Sequence, residues 1–358
     1  MFRVVILTCA VCTALVVTVG CSSSSAESSP IASTTSTMGA AGSTFIAPLM
    51  SAWTKGYQQS LPNVRLNYRP IGSGAGIDEF KKGWLEIAAS DAPLTDDELK
   101  GILPTVQVPA TAGPVCIVYN LPHLDRPLRL SPRTLAEIYL GNIISWQDPA
   151  IERDNPGAKL PRAPVIVVHR SDGSGTTSIF TTYLSKISQD WTRTTGHGLS
   201  VTWPVGFGGD GSKGVLNLVG QTGGTIGYFE LSYATESKAS VAAVENQAGA
   251  FVAPSPASAD AALDAFKDEL AKDVRTPVVD PPVSAKAAYP ITGISFLLVS
   301  KDNPSMSEQM AVRDFIAYAI SNGQDAAEGL SYAKLPPSVQ QKANALLAQL
   351  TVKGQPLK

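Results

Sequence analysis

The chain has 358 residues, of which 44% are hydrophobic and 16% charged, with 30 glycines and 26 prolines. This composition is typical of a globular, loop-rich protein rather than a disordered chain, and the length favours two lobes over one core. The formal net charge of −2 excludes a strongly basic surface for nucleic acid or anionic lipid, so any bound anion must be held by a local site.

The N-terminal segment predicts export and a lipid anchor. Arg3 and the apolar run after it have the form of a signal peptide spanning residues 1–20, which ends in a small residue directly before Cys21. This junction resembles a bacterial lipobox, with Thr18 where an aliphatic residue is usual, and Cys21 is the predicted lipidation site. An uncleaved transmembrane anchor is the alternative, because the apolar run reaches the lower limit of a bilayer span. Residues 21–37 are then the lipidated cysteine followed by a flexible linker rich in serine and threonine.

From residue 38 onward, short apolar runs alternate with helical patterns, which predicts an α/β fold. Strands are expected at 64–68, 115–119 and 165–168, and Cys116 in the second of them is expected to be a buried free thiol. The predicted helices are one with an apolar face of Ile46, Leu49, Met50, Trp53 and Tyr57, one from Ser131-Pro132 to Gly141, one capped by Ser305 that ends before Gly323, and one from about Ser338 to Leu350.

Three clusters of small polar residues each precede a helical pattern. They are residues 42–45 (GSTF), 72–76 (GSGAG) and 172–177 (DGSGTT). A helix start exposes unpaired N–H groups and the positive end of the helix dipole, while glycine lets the backbone approach an anion and serine or threonine adds hydroxyl donors. One such cluster alone is usually an ordinary cap or turn. Three of them predict a site that surrounds an oxyanion.

Arg170 precedes the third cluster and follows the strand predicted at 165–168. Its planar guanidinium suits tetrahedral oxygens, and Asp172 can orient that group and limit its excess charge. A surface salt bridge between the two residues is the alternative. The sequence therefore predicts a strand-loop-helix anion site.

Asp91 introduces a negative charge beside this site, in the sequence SDAPL. An ionised carboxylate repels an anion unless the ligand carries a proton that it can donate, as phosphate does near neutral pH and sulfate does not. Asp91 is accordingly predicted to select phosphate, and the alternative is an aspartate that starts a turn before Pro93.

Four segments, residues 39–45, 71–76, 90–94 and 170–176, together resemble the ligand segments of the phosphate-binding proteins of bacterial ABC phosphate importers, in order and spacing. Further similarity lies at 138–141 with Trp146, at 225–228 and at 289–292, so the resemblance extends from residue 38 to the C-terminal helix. The resemblance implies that phosphate is bound by the Thr44 hydroxyl, the Phe45 N–H, the Ser73 hydroxyl, Asp91 as proton acceptor, Arg170, Ser174, Gly175 and Thr176, with Asp172 as the partner of Arg170.

The fold implied by the resemblance is the two-lobed, type II periplasmic-binding-protein fold, with a hinge and a ligand cleft between the lobes. Lobe 1 is expected to comprise residues 38–118 and 285–358, and lobe 2 residues 119–284, with chain crossings near 118–120 and 284–289. The protein is expected to be a monomer that captures inorganic phosphate outside the cytoplasm and delivers it to the permease subunits of an ABC importer.

The competing classes are a phosphate-ester hydrolase, a nucleotide-binding protein and a surface sensor or adhesin with the same fold. The sequence has no nucleophile elbow and no Walker-type phosphate loop, which is evidence against the first two. The three histidines, His123, His169 and His197, lack the spacing to acidic or thiol residues that marks a metal centre. We therefore expect a binding protein without enzymatic activity, cofactor or metal, and without affinity for nucleic acid. A sensor or adhesin role stays open.

Overall fold

The computed structural model describes residues 36–61 and 63–357. The predicted signal peptide at 1–20, the predicted lipidation site Cys21 and most of the predicted linker lie outside the described residues. The first strand begins at Ser36, slightly before residue 38, where the sequence predicts the first lobe to begin.

The described residues form a mixed α/β structure, as the sequence predicts. The strands are β1 Ser36–Gly42, β2 Val64–Arg69, β3 Ile87–Ser90, β4 Thr105–Asn120, β5 Arg129–Leu130, β6 Ile166–Arg170, β7 Phe207–Gly209, β8 Thr225–Glu230, β9 Ser240–Val241, β10 Ala243–Glu245, β11 Phe251–Val252, β12 Thr292–Ser300, β13 Asp302–Asn303, β14 Thr351–Val352 and β15 Gln355–Pro356.

Helices lie between and around these strands. They are α1 Ala47–Ser60, α2 Ser73–Lys81, α3 Asp96–Leu99, α4 Pro132–Tyr139, α5 Pro149–Asp154, α6 Gly175–Ile187, α7 Gln189–Thr194, α8 Gly211–Gln221, α9 Leu231–Ser237, α10 Pro256–Ala265, α11 Lys267–Lys272, α12 Met306–Ala319, α13 Asp325–Gly329 and α14 Pro337–Leu347, with a short 3₁₀ turn at Asn322–Gln324.

The main sheet has the strand order β2-β1-β3-β12-β4-β8-β6-β7, and β9 also pairs with β4. The pairs of β1 with β2 and β3 are parallel, and so are the pairs of β6 with β7 and β8. The central strands β12 and β4 run antiparallel to their neighbours. The sheet therefore contains two parallel groups, one on each side of an antiparallel centre.

Strand β4 connects the two sides. Its first part, Thr105–Pro114, pairs with β12, and its second part, Val115–Asn120, pairs with β8. Both β4 and β12 are buried along nearly their whole length, which explains their almost continuous runs of small and apolar residues. Cys116 is a buried free thiol in β4, as predicted.

The predicted helix starts agree with the structure. Ser131 and Ser305 accept hydrogen bonds from backbone N–H groups in the first turns of α4 and α12. In α1, Leu49, Met50, Trp53 and Tyr57 are buried along one face, while Ile46 is the buried residue that precedes the helix.

The prediction for the end of the last helix is wrong. It placed the end at Leu350, whereas α14 ends at Leu347. The chain turns after Ala348 because Thr351 and Val352 pair as β14 with Asp302 and Asn303, a long-range contact that overrides local helix propensity.

Candidate functional site

Three loops that follow strand ends come together in the structure. The loop after β1 leads to α1, the loop after β2 leads to α2, and the loop after β6 leads to α6. Gly74 N donates to Gly173 O at 2.8 Å, and Gly175 N donates to the Ser73 hydroxyl oxygen at 3.1 Å. The starts of α2 and α6, which are about a hundred residues apart in sequence, are thus in direct contact.

Glycine is required where these loops approach each other. Gly42 has a φ of +136°, and a Cβ on Gly76 would lie 2.4 Å from Gly42 Cα. A Cβ on Gly175 would lie 2.6 Å from Asp91 Oδ2. These distances are below van der Waals contact, so the absence of a side chain brings β1 against α2 and the start of α6 against Asp91.

Asp91 follows β3 and is only 4% exposed. The Ser43 hydroxyl donates to its Oδ2 at 2.6 Å, and the Ser295 hydroxyl, from β12, donates to its Oδ1. Burial raises the pKa of Asp91 to about 6, while the two serine donors and the positive charge of Arg170 act to lower it. The neighbouring turn is held by Ser90, whose hydroxyl oxygen accepts the N–H of Ala92, so the Asp91 carboxylate faces the loop cluster instead of capping that turn.

Arg170 is the last residue of β6, and its side chain is 1% exposed. Its Nε donates to Asp172 Oδ1 at 2.6 Å, and its Nη2 donates to Asp172 Oδ2. Burial raises the pKa of Asp172, but the hydrogen bonds and charge of Arg170, together with the N–H of Gly211, hold it below its ordinary value. The pair is a buried, two-point ion pair and not a surface salt bridge.

Thr44 and Phe45 lie in the loop between β1 and α1. The Thr44 hydroxyl is 2.8 Å from the Ser212 hydroxyl, and its oxygen accepts the Ser212 N–H at 3.3 Å. The Phe45 N–H donates to the Ser43 hydroxyl oxygen at 3.0 Å, and the Phe45 ring packs edge-on against Tyr332 in the core. Both residues therefore reach the loop cluster through polar atoms.

The start of α6 contains three of the predicted ligand residues, and the three differ in their hydrogen bonding. The Ser174 hydroxyl oxygen caps the helix by accepting the Thr177 N–H at 3.1 Å, and the Gly175 N–H is bonded to Ser73. The Thr176 hydroxyl oxygen is buried and has no hydrogen-bond partner among the described residues. A buried polar atom without a partner at a helix start is where a ligand oxygen would be expected to bind.

Three further serines belong to the same cluster and are not among the predicted ligand residues, although Ser43 lies in the predicted cluster at 42–45. Ser43 and Ser295 donate to Asp91, and Ser212 contacts both Thr44 and, at 3.5 Å, the Nη1 of Arg170. Ser212 had a usable signal, because residues 208–212 (GGDGS) precede a helix in the same way as the other clusters. Ser295 had none, because it is a single small polar residue within a buried apolar strand.

The charged groups of the cluster are one guanidinium, that of Arg170, and the two carboxylates of Asp172 and Asp91. Within residues 36–61 and 63–357, no group of three or more His, Cys, Asp or Glu side chains could hold a metal ion. In the same part of the chain, no helix has the length and apolar character needed to cross a membrane. The cluster can hold one small anion, with Arg170 and helix N–H groups for its charge and Asp91 to accept one proton.

Comparisons with known proteins agree on one family. The profile of the PBP superfamily domain matches residues 27–323. The phosphate-binding protein PstS of Xylella fastidiosa (strain 9a5c) is 41% identical over 311 residues, which cover 86% of this chain and 84% of that protein.

Two solved structures show the same fold. A high-affinity periplasmic phosphate-binding protein (PfluDING) with bound phosphate superposes with a TM-score of 0.70 at 23% identity, covering 86% of this chain and 93% of the other. An ABC-type phosphate transport receptor from Vibrio cholerae superposes with a TM-score of 0.52 at 20% identity, covering 84% and 100%. The predicted two-lobed, type II binding-protein fold is confirmed by these similarities. The lobe boundaries at 38–118, 119–284 and 285–358 remain predictions.

Proposed function

The chain belongs to the PstS family of phosphate-binding proteins within the PBP superfamily, and we propose on this basis that it captures inorganic phosphate outside the cytoplasm and delivers it to an ABC-type phosphate importer. The observation that carries the proposal is that one buried site contains both a positively charged group, Arg170, and a carboxylate that can accept a proton, Asp91. Arg170 provides a fixed positive charge, and Asp91 accepts a proton, so the site matches an anion that is also a hydrogen-bond donor.

Each predicted site residue has a part in this proposal. The residues proposed to contact phosphate are Thr44, Phe45, Ser73, Asp91, Arg170, Ser174, Gly175 and Thr176. Asp172 orients Arg170 and offsets part of its charge. The Thr176 hydroxyl, which has no partner within the described part of the chain, and the positive end of α6 support a ligand oxygen at this helix start.

Binding is proposed to favour a closed arrangement of the two lobes. The loops after β1 and β2 belong to predicted lobe 1, and the loops after β6 and β7 belong to predicted lobe 2. Contacts such as Gly74 N to Gly173 O and Thr44 to Ser212 already join the two sides. A ligand that bonds to both sides adds to these contacts and shifts the population towards closure, which the permease can then recognise.

Titration calorimetry with phosphate, arsenate and sulfate tests this function, on protein treated with a chelator. Phosphate and arsenate should bind and sulfate should bind far more weakly, with no requirement for a metal. Arg170→Ala should weaken phosphate binding by roughly 2–5 kcal/mol, because it removes the buried positive charge and leaves Asp172 to repel the anion. Arg170→Lys should recover only part of the loss. An alanine variant within twofold of the wild type would mean that the strand-loop-helix site is misassigned.

The lipid anchor is part of the proposal and rests on the sequence before residue 36. Cys21→Ala should release the protein from membranes without changing phosphate affinity, because the linker at 21–37 separates the anchor from the fold. Cell fractionation and labelling with a fatty acid measure the first effect. A Cys21→Ala protein that stayed in the membrane fraction would favour an uncleaved transmembrane anchor.

We also propose that the protein acts as a monomeric binding protein and not as an enzyme. The alternative, a phosphate-ester hydrolase, needs a nucleophile or a metal-activated water close to the anion site. Turnover of a chromogenic phosphate ester by the purified protein, lost in Arg170→Ala, would support the hydrolase instead.

A further inference from the structure

Ser43 occupies an unusual position between two groups of the candidate site. Its hydroxyl oxygen accepts the Phe45 N–H at 3.0 Å, and its hydroxyl hydrogen is donated to Asp91 Oδ2 at 2.6 Å. The residue is 1% exposed, so these two contacts take the place of contacts with solvent.

The backbone of Ser43 is held on both sides. Its N–H donates to Ala89 O at 2.8 Å, and its carbonyl oxygen accepts the Tyr68 hydroxyl at 2.6 Å. Its neighbour Gly42 has a φ of +136°, which a residue with a side chain rarely adopts. The freedom that remains to Ser43 is rotation of its side chain about χ1, which moves the hydroxyl without moving the loop.

The two contacts of this hydroxyl are those that a protonated phosphate oxygen would make. Such an oxygen accepts from a backbone N–H and donates to a carboxylate, and the proposed function assigns both of these partners, Phe45 N–H and Asp91, to the ligand. The Phe45 N–H has one hydrogen, so Ser43 and phosphate compete for it. Asp91 Oδ1 accepts the Ser295 hydroxyl and Oδ2 accepts the Ser43 hydroxyl, so rotation of Ser43 would free Oδ2 for the ligand.

We propose that the Ser43 hydroxyl is an intramolecular stand-in for phosphate, which satisfies Phe45 N–H and Asp91 in the empty site and rotates away when phosphate binds. This inference rests on the proposed function. In the empty protein the hydroxyl prevents a buried carboxylate oxygen and a buried N–H from being left unpaired. Because the ligand must first displace it, the hydroxyl weakens phosphate binding and slows association.

Ser43→Ala tests the proposal because it removes the competitor and leaves the backbone unchanged. Phosphate should bind about tenfold more tightly to this variant, with most of the change in the association rate, since no hydroxyl has to be displaced first. Calorimetry gives the affinity, and stopped-flow mixing with phosphate gives the association rate. Ser43→Thr retains the hydroxyl and should not bind more tightly than the wild type.

Ser295→Ala is the matched control. Ser295 also donates to Asp91, but it holds Oδ1 and does not occupy the Phe45 N–H, so its loss should not tighten binding. A weaker or unchanged Ser43→Ala would overturn the proposal and would mean that Ser43 supports Asp91 in the complex. Tightening shared by Ser43→Thr or Ser295→Ala would also overturn it. A wild-type protein without measurable phosphate binding would instead refute the proposed function itself.

Discussion

Asp91 is the residue whose charge decides which tetrahedral anion the site accepts. Burial raises its pKa to about 6, against the lowering effect of the Ser295 and Ser43 donors and of Arg170. In the empty site the carboxylate is therefore mainly ionised at pH 8 and mainly protonated at pH 5. The ionised form accepts a proton from phosphate and repels sulfate, while the protonated form can donate to sulfate.

Sulfate affinity should consequently rise as the pH falls through about 6. In Asp91→Asn it should be independent of pH over this range, because the amide does not titrate. At neutral pH the same variant should shift the ratio of phosphate to sulfate affinity towards sulfate by about tenfold or more, since an unpaired buried group costs about 1–3 kcal/mol. Calorimetric titrations between pH 5 and 8 measure both effects, with arsenate as a control that should follow phosphate. Sulfate affinity that stays flat in the wild type would contradict this role of Asp91.

Individual residues were predictable where the local sequence carried a signal. Arg170 and Asp172 stand two positions apart after a predicted strand, and the structure brings their side chains into direct contact. Ser295 was not predictable, because its only distinctive property is a contact with Asp91, a residue 204 positions away. Whether all of the predicted residues contact phosphate stays a prediction.

Among the secondary-structure elements, α6 begins at a glycine that lies directly against Asp91. Gly175 is its first residue, and a Cβ there would lie 2.6 Å from Asp91 Oδ2 and 2.7 Å from Asp91 N. The helix start and the loop after β3 can be this close only because the residue has no side chain. The approach also places the N–H groups of the first turn of α6 near the proposed anion position.

Gly175→Ala should therefore separate α6 from Asp91 and weaken phosphate binding by about tenfold or more, because overpacking displaces a binding group rather than removing it. Gly220→Ala is the matched control, since Gly220 is also helical and a Cβ there would have no neighbour within 4 Å among the residues that the structure describes. The control should keep its affinity and gain up to about 1 kcal/mol of stability. Calorimetry and urea denaturation measure the two quantities. Equal phosphate affinity in the two variants would show that the contact between α6 and Asp91 is not needed.

The positions of helix starts were more predictable than the long-range contacts that the helices make. Serine before a helical pattern marked the starts of α4 and α12 because capping is local chemistry. The cluster before α8 was missed although its composition is similar, and the end of α14 was placed too late. Both outcomes depend on partners that are distant in the chain. Ser212 of α8 contacts Thr44, and β14, the strand after α14, pairs with β13.

At the scale of the whole molecule, Tyr332 in the C-terminal part of the chain contacts residues next to the candidate site. The Tyr332 hydroxyl donates to Phe45 O and lies 3.5 Å from Glu230 Oε1, at the end of β8. Glu230 Oε1 also accepts the Tyr233 N–H at 3.1 Å and so caps α9. Glu230 Oε2 is buried without a hydrogen-bond partner among the described residues. The Glu230 carboxyl group thus contacts elements from both predicted lobes, although only one of its two oxygens has a hydrogen bond within the described residues.

Burial raises the pKa of Glu230 well above its ordinary value of 4.5, and the negative charge of Asp91 raises it further, although hydrogen bonds from Tyr233 and Tyr332 act in the opposite direction. The folded protein therefore holds this proton more tightly than the unfolded chain does. The stabilisation that results is complete below the unfolded pKa and is lost as the pH rises through the folded pKa.

Glu230→Gln should remove this loss, because the amide stays neutral at every pH. The free energy of unfolding of the variant, relative to the wild type, should rise between pH 5 and pH 8 by about 1–3 kcal/mol, the usual effect of an unpaired buried polar group. Urea denaturation at several pH values measures the difference, which cancels the titration of Asp91 and other groups common to both proteins. Glu236→Gln is the control for the chemical change itself, since Glu236 lies exposed on the neighbouring helix α9. Parallel stability profiles for Glu230→Gln and the wild type would show that Glu230 does not change its protonation on unfolding in this range.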